Sequence, residues 1–189
     1  GDDFQLTVYG KSYTTPDWVK GGVIYHIFID RFCKGKDDNA KFTKNGVLKE
    51  WGEEVTIKDD DGVFRANDFY GGNFQGIIDK LPYLKKLGVT LLYLSPIFKS
   101  SSNHRYDTGD YEFVDELLGD EDKFRQLLQE AEQSGIRIML DGVFNHTGAD
   151  SKYFNKFGNY PTVGAYQSRE SKYFDWFDFY NFPDEYHCW

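Results

Sequence analysis

Apolar and polar positions first fall into a regular pattern at GGVIYHIFIDRF (Gly21–Phe32), a β-branched and aromatic run that predicts a strand. A polar, charge-rich stretch follows from Lys34 to about Asn67, including KDDDG (Lys58–Gly62), and predicts a long excursion with turns and no core element. In NFQGIIDKLPYLKKLG (Asn73–Gly88), Ile77, Ile78, Leu81 and Leu84 share one helical face. Asn73 suits the N-cap and Gly88 the residue past the end, while Pro82 inside the pattern predicts a kink or a split helix. VTLLYLSPIF (Val89–Phe98) is an unbroken apolar run and predicts a second, buried strand. DEDKFRQLLQEAEQSG (Asp120–Gly135) predicts a helix, with acids in its first turn, a stripe of Phe124, Leu127, Leu128 and Ala131, and a terminal Gly135. IRIML (Ile136–Leu140) then predicts a third strand. After Gly148 the periodicity disappears, and KYFDWFDFYNFPDEYHCW (Lys172–Trp189) is aromatic and acidic without a helical stripe.

Strand, helix, strand, helix, strand is the order of an α/β fold. Strands that read as continuous apolar runs belong to parallel sheets covered by helices. Two architectures fit: a doubly wound sheet, or part of a (β/α)8 barrel.

Composition narrows the chemistry. A net charge of −9 over 189 residues argues against a protein that tracks phosphates, so no nucleic-acid partner is expected. No apolar run approaches the roughly 20 residues of a membrane helix, so no membrane partner is expected either. The N-terminus GDDFQLTVYG has neither the basic start nor the apolar core of a secretory signal. Cys33 and Cys188 fit no zinc spacing, and without other signs of a disulfide framework they read as two unpaired thiols. Aromatic residues reach 19%, more than a core alone needs, and suit a surface that stacks on flat or ring-shaped ligands such as sugars.

In parallel α/β folds the chemistry lies beyond the carboxyl ends of the strands. The first strand ends near Asp30 and Arg31. The second leads through SPIFKSSSNHRYDTGDY (Ser95–Tyr111), which brings His104, Arg105, Tyr106, Asp107 and Asp110 together. The third ends in DGVFNH and adds Asp141, Asn145 and His146. Taken singly, an Asp here caps a loop and a His is a satisfied structural residue. Taken together, two loops at one end of a sheet offer carboxylates, imidazoles and an aromatic ring, which is what a polyhydroxylated ligand requires.

Other motifs fail on spacing. With Gly62 at the sixth position of a calcium loop, Ile57 would stand where the first carboxylate must be. GGNFQG (Gly71–Gly76) is neither a dinucleotide nor a phosphate loop, and His104 and His146 do not make a zinc pair. The sequon NHT at Asn145 sits at a strand end in a cleft, where a glycan is hard to accommodate.

DGVFNHTG (Asp141–Gly148) resembles the first signature of the α-amylase family of glycoside hydrolases, in the branch of neopullulanases, cyclomaltodextrinases and maltogenic amylases. VIYHIFIDRF resembles that family's strand one, GVTLLYLSPIF strand two, HRYDTGDY the loop after it, and SKYFDWFDF the irregular domain inserted after strand three. The resemblance runs from about Trp18 to Trp189 and implies the N-terminal portion of a (β/α)8 barrel. Residues 1–17 would be an extension or linker, 18–147 barrel strands one to three with their helices, and 148–189 the start of the inserted domain. By the same resemblance Tyr106 stacks on the sugar next to the scissile bond and His146 hydrogen-bonds its hydroxyls. Asp141 braces the site, Asn145 holds the loop, Asp107 supports it, and Trp176 and Trp189 line a more distant sugar subsite.

The implied reaction is hydrolysis of an α-glucan with retention, which takes a carboxylate nucleophile and a separate acid/base about 5–5.5 Å apart. The resemblance puts these after strands four and five, with a further Asp after strand seven, so no catalytic carboxylate is expected before Trp189. The chain then reads as a sugar-binding fragment of a larger enzyme. No cofactor is required. Some relatives bind calcium, in some of them through the counterpart of Asn145, but here CKGKDDNA and Asn73 place lysines and an amide where acids would be expected. A non-catalytic carbohydrate-binding module is the alternative, separated from the first reading by whether the gene continues into a fourth strand. Three strands of a barrel leave open sheet edges, so self-association is expected. Bond preference, hydrolysis against transfer, and compartment stay open.

Overall fold

The structure is a computed structural model that describes residues 6–36, 46–56, 58, 61–63 and 66–188. Its centre is a parallel sheet of β1 (Ile24–Ile27), β4 (Leu91–Leu94) and β7 (Arg137–Leu140), with β4 in the middle. Between them in the chain come β2 (Val47–Leu48), β3 (Asp68–Phe69), α1 (Phe74–Lys86), β5 (Phe98–Ser100), β6 (Thr108–Val114) and α2 (Glu121–Gln133). A hairpin of β8 (Phe179–Asn181) and β9 (Glu185–Tyr186) closes the described part. Parallel neighbours need a crossover, and α1 and α2 supply the two that the sheet requires.

Strand periodicity sorts the side chains of the sheet. Tyr25 and Ile27, Leu92 and Leu94, and Ile138 turn to the helices, where they pack with Phe74, Ile77, Ile78, Leu81, Leu84 and Leu127 in one core. The opposite face carries His26, Tyr93 and Met139 in one row of the register. Each helix starts where the sequence places an oxygen: Asn73 Oδ1 accepts from Gly76 N at 2.8 Å, and Asp120 Oδ1 from Lys123 N at 2.8 Å. Gly88 and Gly135 follow with φ of +85° and +75°, the left-handed conformation that ends a helix cheaply at glycine.

Several expectations are corrected by the structure. Pro82 does not split α1, which runs through it as one 13-residue helix. Its inward face is held by Leu81 and Leu84, both buried, and this tertiary packing outweighs one lost backbone bond. The first two strands are shorter than their apolar runs. Ile29–Arg31 is already a 3-10 turn, and Phe98–Ser100 leaves the sheet to pair antiparallel with β6. The sequence reading leaves Ser95–Tyr111 as a loop, whereas much of it is this β5–β6 hairpin. Only the tight turn Ser101–Asp107 projects from it.

Among its described residues the excursion before Asn67 carries one short exposed strand, β2, paired with β3. Residues 37–40 of CKGKDDNA, Ile57 and two acids of KDDDG lie outside the described residues. After Gly148 the chain builds a separate aromatic cluster of Tyr153, Phe154, Ala165 and Tyr173, with Tyr111 packed against it. Among the described residues no helix is long and apolar enough to cross a membrane, and Cys33 and Cys188 are both free thiols.

Candidate functional site

Both loops singled out by sequence leave the carboxyl end of the sheet on the same side and touch. Asp141 directly follows β7, and its Oδ2 accepts from the Tyr106 hydroxyl at 2.8 Å and from the Tyr93 hydroxyl at 2.6 Å. His146 approaches Tyr106 from the other side, with Nε2 3.1 Å from the Tyr106 carbonyl oxygen. Because that oxygen can only accept, Nε2 carries the proton. Nδ1 then accepts from the Asn145 amide, a long contact at 3.5 Å. Asn145 itself is exposed.

The loops are also joined through the backbone. Gly148 N donates to Thr108 O at 3.0 Å, and the Tyr111 hydroxyl donates to the carbonyls of Val143 and His146. Gly148 must be glycine for this crossing, since a Cβ there would lie 2.8 Å from the Asp107 carbonyl oxygen.

The turn that presents Tyr106 is organised by Asp107. Its carboxylate accepts from the hydroxyls of Ser100 at 2.6 Å and Ser101 at 2.7 Å, and also from Ser102. Burial pushes this carboxyl up, but the serine hydroxyls outweigh it and leave it below its ordinary value. His104 Nδ1 accepts from Tyr106 N at 3.0 Å, so the neutral ring carries its proton on Nε2. Burial lowers the His104 pKa, against an opposing pull from Asp107. Between them stands Arg105 with φ +64°, unusual for a residue with a side chain. Its buried guanidinium holds the turn by donating to Asn103 O at 2.7 Å and Asp115 Oδ1 at 3.3 Å. Tyr106 is pushed up to about 12, by burial first and then by its bond to Asp141.

The structure therefore brings together Tyr106, Asp141, His146 and, at the rim, Asn145, His104 and Asp107. It does not bring in Asp110, Arg105, Asp30 or Arg31. Asp110 Oδ1 faces the other way, toward Lys152 Nζ and the Tyr153 hydroxyl, both at 3.3 Å. Asp30 is buried and accepts from the backbone of Tyr70 and Gly71 and from Arg31, which tie β3 to the end of β1. Trp176 is exposed and stacks on Tyr153 at 5.3 Å, within the aromatic cluster, and Trp189 lies outside the described residues. Tyr93 escapes the sequence reading, although a phenol is the one polar-tipped ring in the run VTLLYLSPIF.

Asn73 Oδ1 is taken by Gly76 N and Gly35 N, and among the described residues no three His, Cys, Asp or Glu side chains cluster as ligands.

Known proteins resemble this chain over most of its length. Residues 26–187 match the family model described as the alpha amylase catalytic domain. An amylopullulanase of Thermoanaerobacterium saccharolyticum is 45% identical over 208 residues, covering 99% of this chain and 16% of that protein. The intracellular maltogenic amylase of Bacillus subtilis strain 168 is 43% identical over 180 residues, covering 95% of this chain and 27% of that protein. The chain thus spans about a sixth to a quarter of these relatives. Among solved structures, the cyclic α-maltosyl-(1→6)-maltose hydrolase of Arthrobacter globiformis, in complex with cyclic α-maltosyl-(1→6)-maltose, superposes with a TM-score of 0.77 at 34% identity. That match covers 94% of this chain and 37% of the other. The chain belongs to the α-amylase family of glycoside hydrolases, in its neopullulanase-, cyclomaltodextrinase- and maltogenic-amylase-like branch, and its three parallel strands with α1 and α2 are the N-terminal part of that family's (β/α)8 barrel.

Proposed function

We propose that these residues form the sugar-binding floor of a retaining α-glucan hydrolase whose nucleophile and acid/base lie beyond Trp189. The observation that carries the reading is the junction of Tyr106, Asp141 and His146 at the carboxyl ends of β4 and β7. In it Tyr106 offers a ring face to the glucose next to the scissile bond. His146 exchanges the Tyr106 carbonyl for a sugar hydroxyl, donating from Nε2. Asp141 is held by two phenols and serves as the anchor. Asn145 shapes the loop and Asp107 fixes the turn beneath Tyr106. On this reading residues 1–17 are an extension, 18–147 belong to the barrel, and 148–189 begin the inserted domain.

Two facts support an incomplete catalytic unit. The chain covers between 16% and 37% of the relatives compared above. Asp141, the carboxylate at the heart of the site, already accepts two hydroxyl bonds on one oxygen, which suits bracing and not attack. The neighbour from Arthrobacter globiformis holds an α-linked glucan, which favours the same ligand class here.

The test is direct. The purified 189-residue chain releases no reducing ends from maltodextrin or pullulan, while the polypeptide extended past Trp189 does so and yields the α-anomer first, read by proton NMR. Robust hydrolysis by the chain alone overturns the reading. Glucan binding by the extended polypeptide without hydrolysis would make it a carbohydrate-binding module instead.

A further inference from the structure

Tyr93 stands in the row His26, Tyr93, Met139 on the open face of the sheet. It is on β4, which among the described residues is the one strand of this sheet with hydrogen-bonded neighbours on both sides, so its backbone is firmly held. Its ring is fixed a second time by stacking on His26, with centroids 4.7 Å apart and planes 26° from parallel. From that fixed position its hydroxyl donates to Asp141 Oδ2 at 2.6 Å, the shorter of the two bonds to that oxygen.

Neither of the other partners is so well held. Asp141 follows the last residue of an edge strand and precedes Gly142. Tyr106 rides on a turn whose backbone passes through a strained Arg105. Among the described residues Asp141 has no hydrogen bond from its side chain except those two phenols. Its rotamer is therefore set by Tyr93, and the Tyr106 ring is in turn aimed by Asp141.

We infer that Tyr93 is a positioning residue of the substrate site, which holds Asp141 so that Asp141 can aim the Tyr106 ring at the sugar. This rests on the reading of Tyr106 as the sugar-stacking ring. Tyr93 itself does not touch substrate. Its ring plane, lying against His26, faces along the sheet, and its one hydroxyl is spent on the carboxylate. Shared acceptance also raises the Tyr93 phenol, its bond to Asp141 being the first cause.

The experiment is a double-mutant cycle in the polypeptide extended past Trp189, assayed on maltodextrin, with Tyr93→Phe, Tyr106→Phe and the pair. Tyr93→Phe keeps the ring over His26 and removes only the hydroxyl, so its Tm stays near wild type. Its kcat/KM falls about tenfold or more, the size of one hydrogen bond to a charged group. In the Tyr106→Phe background, where the aimed ring is already untethered, the same change costs no further activity. Wild-type kcat/KM for Tyr93→Phe, or losses that simply multiply in the pair, would overturn the inference, because a residue acting only on stability gives independent effects. Tyr106→Ala separates the two levels. Wild-type activity in that variant removes the proposed function, and the inference with it. An impaired Tyr106→Ala with multiplying losses in the cycle removes the inference alone.

Discussion

At the scale of single residues the site depends on a few short bonds around Tyr106. Removing its ring and removing its hydroxyl are different experiments. On the proposed reading Tyr106→Ala in the extended polypeptide loses both sugar stacking and the tether to Asp141, and kcat/KM should fall roughly a hundredfold. Tyr106→Phe keeps the stacking face and falls about tenfold. On the proposed reading His146→Ala removes a donor to a centre where charge develops, and kcat/KM should fall about a hundredfold or more. Steady-state kinetics on maltotriose checks the order, and equal losses for Tyr106→Phe and Tyr106→Ala would contradict it. His104 adds a pH dependence to the fold. Burial keeps its folded pKa below the ordinary 6.5, so the unfolded chain binds the extra proton more readily. The stability that this histidine contributes is complete above pH 6.5 and declines as pH falls through that value. The Tm should drop between pH 7.5 and 5.5, and drop less in His104→Gln. Parallel curves for the two proteins would disprove it. Tyr106, Asp141, Asn145 and His146 were legible as chemistry because their residue types are out of place after apolar strands. Tyr93 was not, since a tyrosine in a strand reads as core until its hydroxyl is seen to have a carboxylate partner.

Elements were legible where one period governed a whole segment. α1 and α2 fall where spacing and caps put them, because a helix is specified by its own face and ends. β5 and β6 were hidden because hairpin pairing joins Phe98 to Val114 and Ser100 to Thr108, and no local period encodes a partner eight or more residues away. Polar serines and histidine in the turn masked it further. The crossing of this hairpin with the β7 exit is a close backbone contact of the site. Gly148→Ala would force its Cβ against Asp107 O, at 2.8 Å in the present geometry, and against the Asp150 carboxylate. Backbone cannot swing aside like a long side chain. The variant should lose about 1–3 kcal/mol in urea unfolding and loosen the loops over Tyr106. An unchanged midpoint would show that the crossing has slack.

For the molecule as a whole, the sheet has one dressed face and one bare one. The helix side is a continuous core, whereas on the other face Ile24 and Met139 are exposed, at 53% and 42%. β7 also ends the sheet in this structure, with one edge unpaired among the described residues. Bare apolar area beside an open edge favours pairing with another copy, opposed by a net charge of −9. The isolated chain should associate, more strongly at high salt where the repulsion is screened, as read by sedimentation velocity. A monomer at all salt concentrations would refute this. The aromatic cluster beyond Gly148 has a different consequence. Its buried members, Tyr153, Phe154, Ala165 and Tyr173, pack with Tyr111 of the hairpin, and none of them belongs to the core behind the sheet. The segment is therefore a cassette plugged into β6, joined by Tyr111, Asp110 and Lys152. Swapping it for the corresponding segment of a relative would replace the packing around Tyr111 while leaving the barrel strands as they are.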